Sequence, residues 1–218
     1  MNQVLYVINP NSIQAVTDGI DAALESMRMT GGPEIRCVTL KDGPPGIQSQ
    51  QHIDGLIMPL CNLVKSLELT AAGFVIACFS DPGLYSVREI TQKTVMGIAE
   101  CGVLTALTLG HRFGVISILP TSIPRHLRYF SAMGVTSRLA ADLAINRGVL
   151  ELADKSQTLK SMIDVGKILR DTHGADVLVL GCAGMASFCE PLQQATGIPV
   201  VEPTQAAAAM AIGRMRLR

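Results

Sequence analysis

The 218-residue chain has no tryptophan, three tyrosines and five phenylalanines. That is too few flat rings for the stacking platforms on which single-stranded nucleic acids lie. Charge of either sign is not in excess: 18 Lys and Arg balance 18 Asp and Glu. The electrostatic footprint of a nucleic-acid or anionic-membrane binder is therefore missing. No apolar run approaches the ~20 residues needed to span a bilayer. The opening MNQVLYVINPNS lacks the basic region, apolar stretch and small-residue cleavage site of a secretory leader. These absences lead us to expect a soluble, cytoplasmic protein with no nucleic-acid and no membrane partner. The six cysteines, at 37, 61, 78, 101, 182 and 189, include no CxxC pair and no tight His/Cys cluster. A zinc knuckle is excluded, no metal is expected, and in a reducing compartment the thiols stay free.

What is present is apolar. Hydrophobic residues make up 48% of the chain and charged residues 17%, enough for a sizeable core and against disorder. Short β-branched runs, VLYVI (4–8), IRCVTL (35–40), FVIAC (74–78), FGVISI (113–118), DVLVL (176–180) and PVV (199–201), read as strands. Between them, 13–27, 52–69, 97–109, 122–133, 157–173 and 204–215 show the three- and four-residue spacing of helices. Strands that are apolar throughout belong to a sheet covered on both faces. Their alternation with helices predicts an α/β fold of parallel strands.

The chain also echoes itself. VLYVINPNS opens one half and FGVISILPTS the other, and each is followed by a buried strand closing on a cysteine, Cys78 or Cys182. We expect two similar lobes related by a pseudo-twofold axis, with the boundary near 95–112. The first lobe is drawn as 1–96 with about 198–218, the second as 97–197. KDGPPGIQS (41–49) reads as loop rather than phosphate cradle.

In parallel α/β sheets ligands bind beyond the carboxyl ends of the strands. Asn11, Ser12, Cys78, Ser80, Ser117, Thr121 and Cys182 fall at or just past such ends. Helices are expected to start near 82–84 and near Gly184. A thiol facing a helix start meets unsatisfied N–H groups, which lower its pKa toward neutrality. No His, Lys or Arg stands beside either cysteine in the chain. Two such thiols suit the inversion of a stereocentre next to a carbonyl, one as base and the other as acid on the opposite face. The enolate between them would be held by backbone N–H groups of Phe79–Ser80 and Ala183–Gly184.

VINPNS, IACFSDPG, GHRFGVIS and LGCAGMA, taken in order, resemble the hydantoin/allantoin racemase family within the aspartate/glutamate racemase superfamily. The stretch 137–152 matches it least. The resemblance implies two flavodoxin-like lobes, an active site in the cleft between them and cofactor-independent racemisation by Cys78 and Cys182. It further implies substrate contacts from Asn11, Phe79, Ser80, Thr121, Ala183 and Gly184, and assembly as a homo-oligomer. Amino-acid racemases of the superfamily resemble a pattern with polar Thr and His after the second cysteine. Here Ala183, Gly184 and Met185 stand there, which favours a small neutral cyclic ureide, a 5-substituted hydantoin or allantoin. The alternatives are an aspartate/glutamate-type racemase and, in another class, a redox-sensing regulator that binds a small molecule on the same scaffold.

Other polar residues read as structural. Cys37, Cys61, Cys101 and Cys189 fit core positions, and Asp81 with Pro82 and Gly83 fits a turn before a helix. Asn11 fits a helix cap as well as it fits a substrate contact. Glu202 is placed for a helix N-terminus. His111 and His126 have no partner at ligand spacing and are expected at the surface or in loops.

Overall fold

The computed structural model describes residues 4–217. Residues 1–3 and Arg218, the outer ends of the expected first lobe, lie outside the described residues. Strands β1 (Val4–Asn9), β2 (Glu34–Thr39), β3 (Ala71–Ile76) and β4 (Thr94–Gly97) pair in parallel in the order β2-β1-β3-β4. Strands β5 (Phe113–Ser117), β6 (Leu139–Ala144), β7 (Val177–Leu180) and β8 (Val200–Val201) form a second parallel sheet, ordered β6-β5-β7-β8. The second order repeats the first, four strands on. Each sheet is the centre of one lobe.

The helices are α1 (Gln14–Ala23), α2 (Gln50–Gly55), α3 (Ile57–Leu67), α4 (Leu84–Ile90), α5 (Ile98–Leu109), α6 (Ile123–Ala132), α7 (Lys155–Asp171), α8 (Cys189–Thr196) and α9 (Pro203–Arg216). They explain why the strands are apolar on both faces. In β1, Leu5 and Val7 face one core while Val4, Tyr6 and Ile8 face another. In β7, Val177 and Val179 share the first core, and Leu178 and Leu180 face a third. The first core is common to both lobes and is filled by α5 and α9. These two helices approach closely because Gly102 lacks a Cβ, which would stand 2.9 Å from Pro203.

Two strands escape the sequence reading. β4 is four residues long, and β6, LAADLA, carries alanines and a buried aspartate in place of the residues strands favour. The helix expected over 52–69 breaks at Leu56, and Pro59, which lacks an N–H, sits in the first turn of α3. The helix expected over 13–27 ends at Ala23, and a short 3-10 turn, Glu25–Met27, follows it. The chain's last stretch divides between the lobes: Val200–Val201 extends the second sheet beside β7, whereas α9 packs on α1, α5, β3 and β4. No helix among the described residues is long and apolar enough to cross a membrane.

Candidate active site

Both cysteines sit two residues past the ends of the central strands β3 and β7. Beyond β3, the Ala77 N–H still donates to the Ile8 carbonyl of β1, and beyond β7 the Gly181 N–H donates to the Ile116 carbonyl of β5, both at 2.8 Å. The chain then turns sharply. The Cys78 carbonyl accepts from the N–H groups of Ser80 and Asp81, and the Cys182 carbonyl from that of Met185. This equivalent exit from two sheets brings Cys78 and Cys182 to the wall of one cavity of about 40 Å³. Both residues keep part of their surface open to it.

Of the other residues expected to contact substrate, Asn11, Phe79, Ser80, Ala183 and Gly184 line the same cavity. Asn11 lines the cavity and holds the approach to α1 without capping it, since the N-cap residue is Ile13 and no side chain caps the helix. Asn11 Oδ1 accepts from the Ile13 N–H at 2.9 Å and from Asn9 Nδ2 at 3.0 Å, which fixes the turn into α1. Its Nδ2 has no hydrogen bond among the described residues and remains available. Thr121 is different: it is exposed, does not line the cavity, and donates its hydroxyl to the Gln48 carbonyl at 3.2 Å. Its neighbour Ser122 takes the place in the wall.

The backbone donors are fewer than expected. The Ser80 N–H is drawn to the Cys78 carbonyl and sulfur, and the Gly184 N–H to the Cys182 sulfur. Among the described residues the N–H groups of Phe79 and Ala183 have no acceptor, the latter because it opens the 3-10 turn Ala183–Phe188.

The expected lowering of the thiol pKa values is also corrected. Burial pushes both thiols up, Cys182 to about 11, against the N–H groups of Ser80 and Gly184 that favour the thiolates. Near Cys78, the charges of Cys182 and Asp81 raise it further, while Arg125 opposes them. One short turn at each cysteine does not outweigh enclosure by protein.

Arg125 and His126 are the residues that sequence reasoning missed. Both lie on α6, both line the cavity and both are buried. His126, expected at the surface, is 2% exposed. Its Nδ1 is 2.8 Å from Asp142 Oδ2 and 3.2 Å from the Ser117 hydroxyl, and that hydroxyl donates to Asp142 Oδ1 at 2.5 Å. The carboxylate of β6 thereby assigns the ring proton to Nδ1. The Phe79 ring meets the imidazole edge-on, with centroids 5.2 Å apart. The only sequence signal for this contact was an aspartate inside an otherwise apolar segment.

Asp81 caps a helix start, but not that of its own turn. Its carboxylate accepts the Ala99 and Glu100 N–H groups of α5, each at 2.8 Å. Glu202 caps α9 in the same way through the N–H groups of Thr204 and Gln205. Among the described residues no three His, Cys, Asp or Glu side chains are placed to hold a metal ion.

The sequence model of the Asp/Glu/Hydantoin racemase family matches residues 5–211. The chain belongs to this family. A hydantoin racemase of Rhizobium meliloti is 34% identical over 212 residues, which cover 95% of this chain and 86% of that protein. An allantoin racemase from Klebsiella pneumoniae superposes with a TM-score of 0.89 at 30% identity, over 96% of this chain and 86% of that one. An allantoin racemase from Pseudomonas fluorescens superposes with a TM-score of 0.94 at 25% identity, over 98% and 91%. The two-lobed α/β fold is that of these racemases, and the chain is an isomerase of the racemase class.

Proposed function

We propose that this racemase inverts the stereocentre of 5-substituted hydantoins, allantoin among the substrates to be tried, by two-thiol proton transfer without a cofactor. The observation that carries the reading is the meeting of Cys78 and Cys182, from equivalent strand ends of two sheets, in one cavity. One cysteine as thiolate takes the C5 proton. Its S–H bond forms, the C–H bond breaks, and the electron pair moves onto the neighbouring carbonyl oxygen. The other thiol then delivers its proton to the opposite face of C5 and becomes the thiolate. The reverse turnover exchanges the roles. The free N–H groups of Phe79 and Ala183, with Asn11 Nδ2, are donors for the ring's carbonyl oxygens.

Two features favour a neutral ring over an amino acid. The cavity wall contains no Asp or Glu to receive an ammonium group. An apolar groove of about 270 Å³ shares Val16, Val149, Ala183 and Gly184 with the cavity, and Leu152 and Phe188 line its far side. An apolar substituent on C5 fits there. The curated relative at 34% identity is a hydantoin racemase. The reading further makes the enzyme cytoplasmic and homo-oligomeric. Six free cysteines suit a reducing compartment, and Met58, Leu69 and Tyr85 expose apolar surface for contact between subunits.

The test is polarimetry with single-enantiomer hydantoins, allantoin, aspartate and glutamate, run beside exchange in deuterated water. Hydantoins should lose rotation while taking deuterium at C5. Cys78→Ser and Cys182→Ser should each abolish interconversion, and each should retain exchange of one enantiomer. Full racemase activity in either variant, or inversion of only the amino acids, overturns the reading.

A further inference from the structure

The Arg125 side chain is a buried cation without an anion. It is 9% exposed, and no carboxylate lies within ion-pair distance of it among the described residues. Its Nη1 donates to the Thr121 carbonyl at 2.6 Å and to the Gln48 carbonyl at 3.4 Å, and its Nη2 to the Ser122 hydroxyl at 3.2 Å. All three acceptors are neutral. The Nε, fully buried, has no partner. A buried charge in this state is costly unless something balances it, and the wall it occupies belongs to the cavity of the two thiols.

The chemistry proposed above supplies the balance. A single negative charge moves from one sulfur to the ring oxygen and on to the other sulfur, along the cavity wall that Arg125 shares. We propose that Arg125 stabilises this reaction from the cavity wall: the field of its uncompensated guanidinium favours the negative charge that collects on the ring oxygen when C5 loses its proton. The proposal rests on the hydantoin reading. The guanidinium is held in place, because its Nη groups are tied to the Thr121 turn, to Ser122 and to the loop bearing Gln48. The guanidinium does not release its proton, so it stabilises the enolate by charge alone. The neighbouring His126, also in the cavity wall, is locked by Asp142 and Ser117. The field of Arg125 reaches Cys78, where it works against Asp81 and Cys182.

Two variants and two readouts test this. Arg125→Gln should lower kcat for hydantoin racemisation by about 10²–10³-fold with little change in KM, the size seen when one oxyanion donor is removed. Arg125→Lys keeps the charge without the planar fork and should recover part of that loss. Iodoacetamide labelling of Cys78, followed by peptide mass spectrometry, needs no substrate, and its pH profile should move to higher pH in Arg125→Gln. A folded Gln variant with kcat within threefold of wild type overturns the proposal. So does an unmoved labelling profile or, if the Gln variant does not fold, a folded Lys variant whose kcat falls by about 10²-fold or more despite the retained charge. Wild-type protein that racemises no hydantoin sinks the substrate reading instead, and the labelling profile still decides whether Arg125 bears on the thiol.

Discussion

The Tyr129 hydroxyl donates to Asp81 Oδ2 at 2.8 Å, so a helix of the second lobe grips the turn that follows Cys78 in the first. The same carboxylate caps α5, a helix of the core common to both lobes, and leaves no room for a side chain at position 97, where a Cβ would stand 2.2 Å from its Cγ. Asp81 has left-handed backbone, with φ of 42°. One aspartate thus fixes the position of Cys78 relative to α5 and α6.

Burial pushes the Asp81 carboxyl up to about 7, against the three donors that favour its anion. The unfolded value is about 3.9. A raised folded value means that stability is full below the unfolded value and falls as pH climbs toward the folded one. In Asp81→Asn this titration is absent. The stability of wild type relative to the variant should therefore decline between pH 4 and pH 7, by on the order of a few kcal/mol, and level off above. Urea unfolding at pH 5 and pH 8 reads the difference, and a wild-type advantage that grows with pH contradicts the raised carboxyl.

Gly181 precedes Cys182, and a Cβ there would stand 2.6 Å from the Ile116 carbonyl oxygen. Backbone cannot yield as a flexible side chain would. Gly181→Ala should push the end of β7 away from β5 and carry the sulfur with it. A misplacement of about 1 Å costs on the order of 10²-fold in rate. We expect that fall in kcat together with about 1–3 kcal/mol of stability, the range for overpacking. Steady-state kinetics and thermal unfolding on the same preparation check it, and unchanged kcat would show that the strand end accommodates the methyl group.

The strands and both thiols were legible because their signals are local: β1, β3, β5 and β7 are continuous apolar runs, and Cys78 and Cys182 close two of them. What stayed hidden depends on contacts distant in the chain. His126 looked solitary because Asp142 is 16 residues away, on a strand whose alanines masked it. Arg125 reaches the cavity although no cation neighbours either cysteine in sequence. The loop 41–49, read as connector, proves to be cover: Ile47 lines the cavity, and the Gln48 carbonyl ties the loop to Thr121 and Arg125. Thr121 was placed by position past a strand end, a rule that selects the right loop but not which of its residues points inward.

Removal of His126 leaves Asp142 in the core with Ser117 as its remaining side-chain partner. A buried carboxylate stripped of one partner costs more than the interaction contributed. His126→Leu should destabilise the protein by about 3–5 kcal/mol. The double variant His126→Leu with Asp142→Leu should regain much of that loss, since no charge then remains to solvate. Denaturant unfolding of the two variants checks the order, and a double variant less stable than the single one shows that the pair itself is stabilising.

Cys182 offers a pH test that needs no substrate. With its thiol pushed up to about 11 by burial, the thiolate is a small fraction at neutral pH and grows about tenfold for each unit of pH below that value. Labelling of Cys182 by iodoacetamide, followed by peptide mass spectrometry, should accelerate by about that factor per unit between pH 7 and pH 10, without a plateau. A plateau by pH 8 would mean that the N–H of Gly184 and the start of the 3-10 turn outweigh enclosure, as the sequence had suggested. The result bears directly on the reaction. If both thiols rest protonated, turnover runs through a minor thiolate species, and whatever stabilises that species controls the rate. Arg125 lines the same cavity and its field bears on Cys78, so the Cys182 profile and the kcat of Arg125→Gln together report on how the site carries its negative charge.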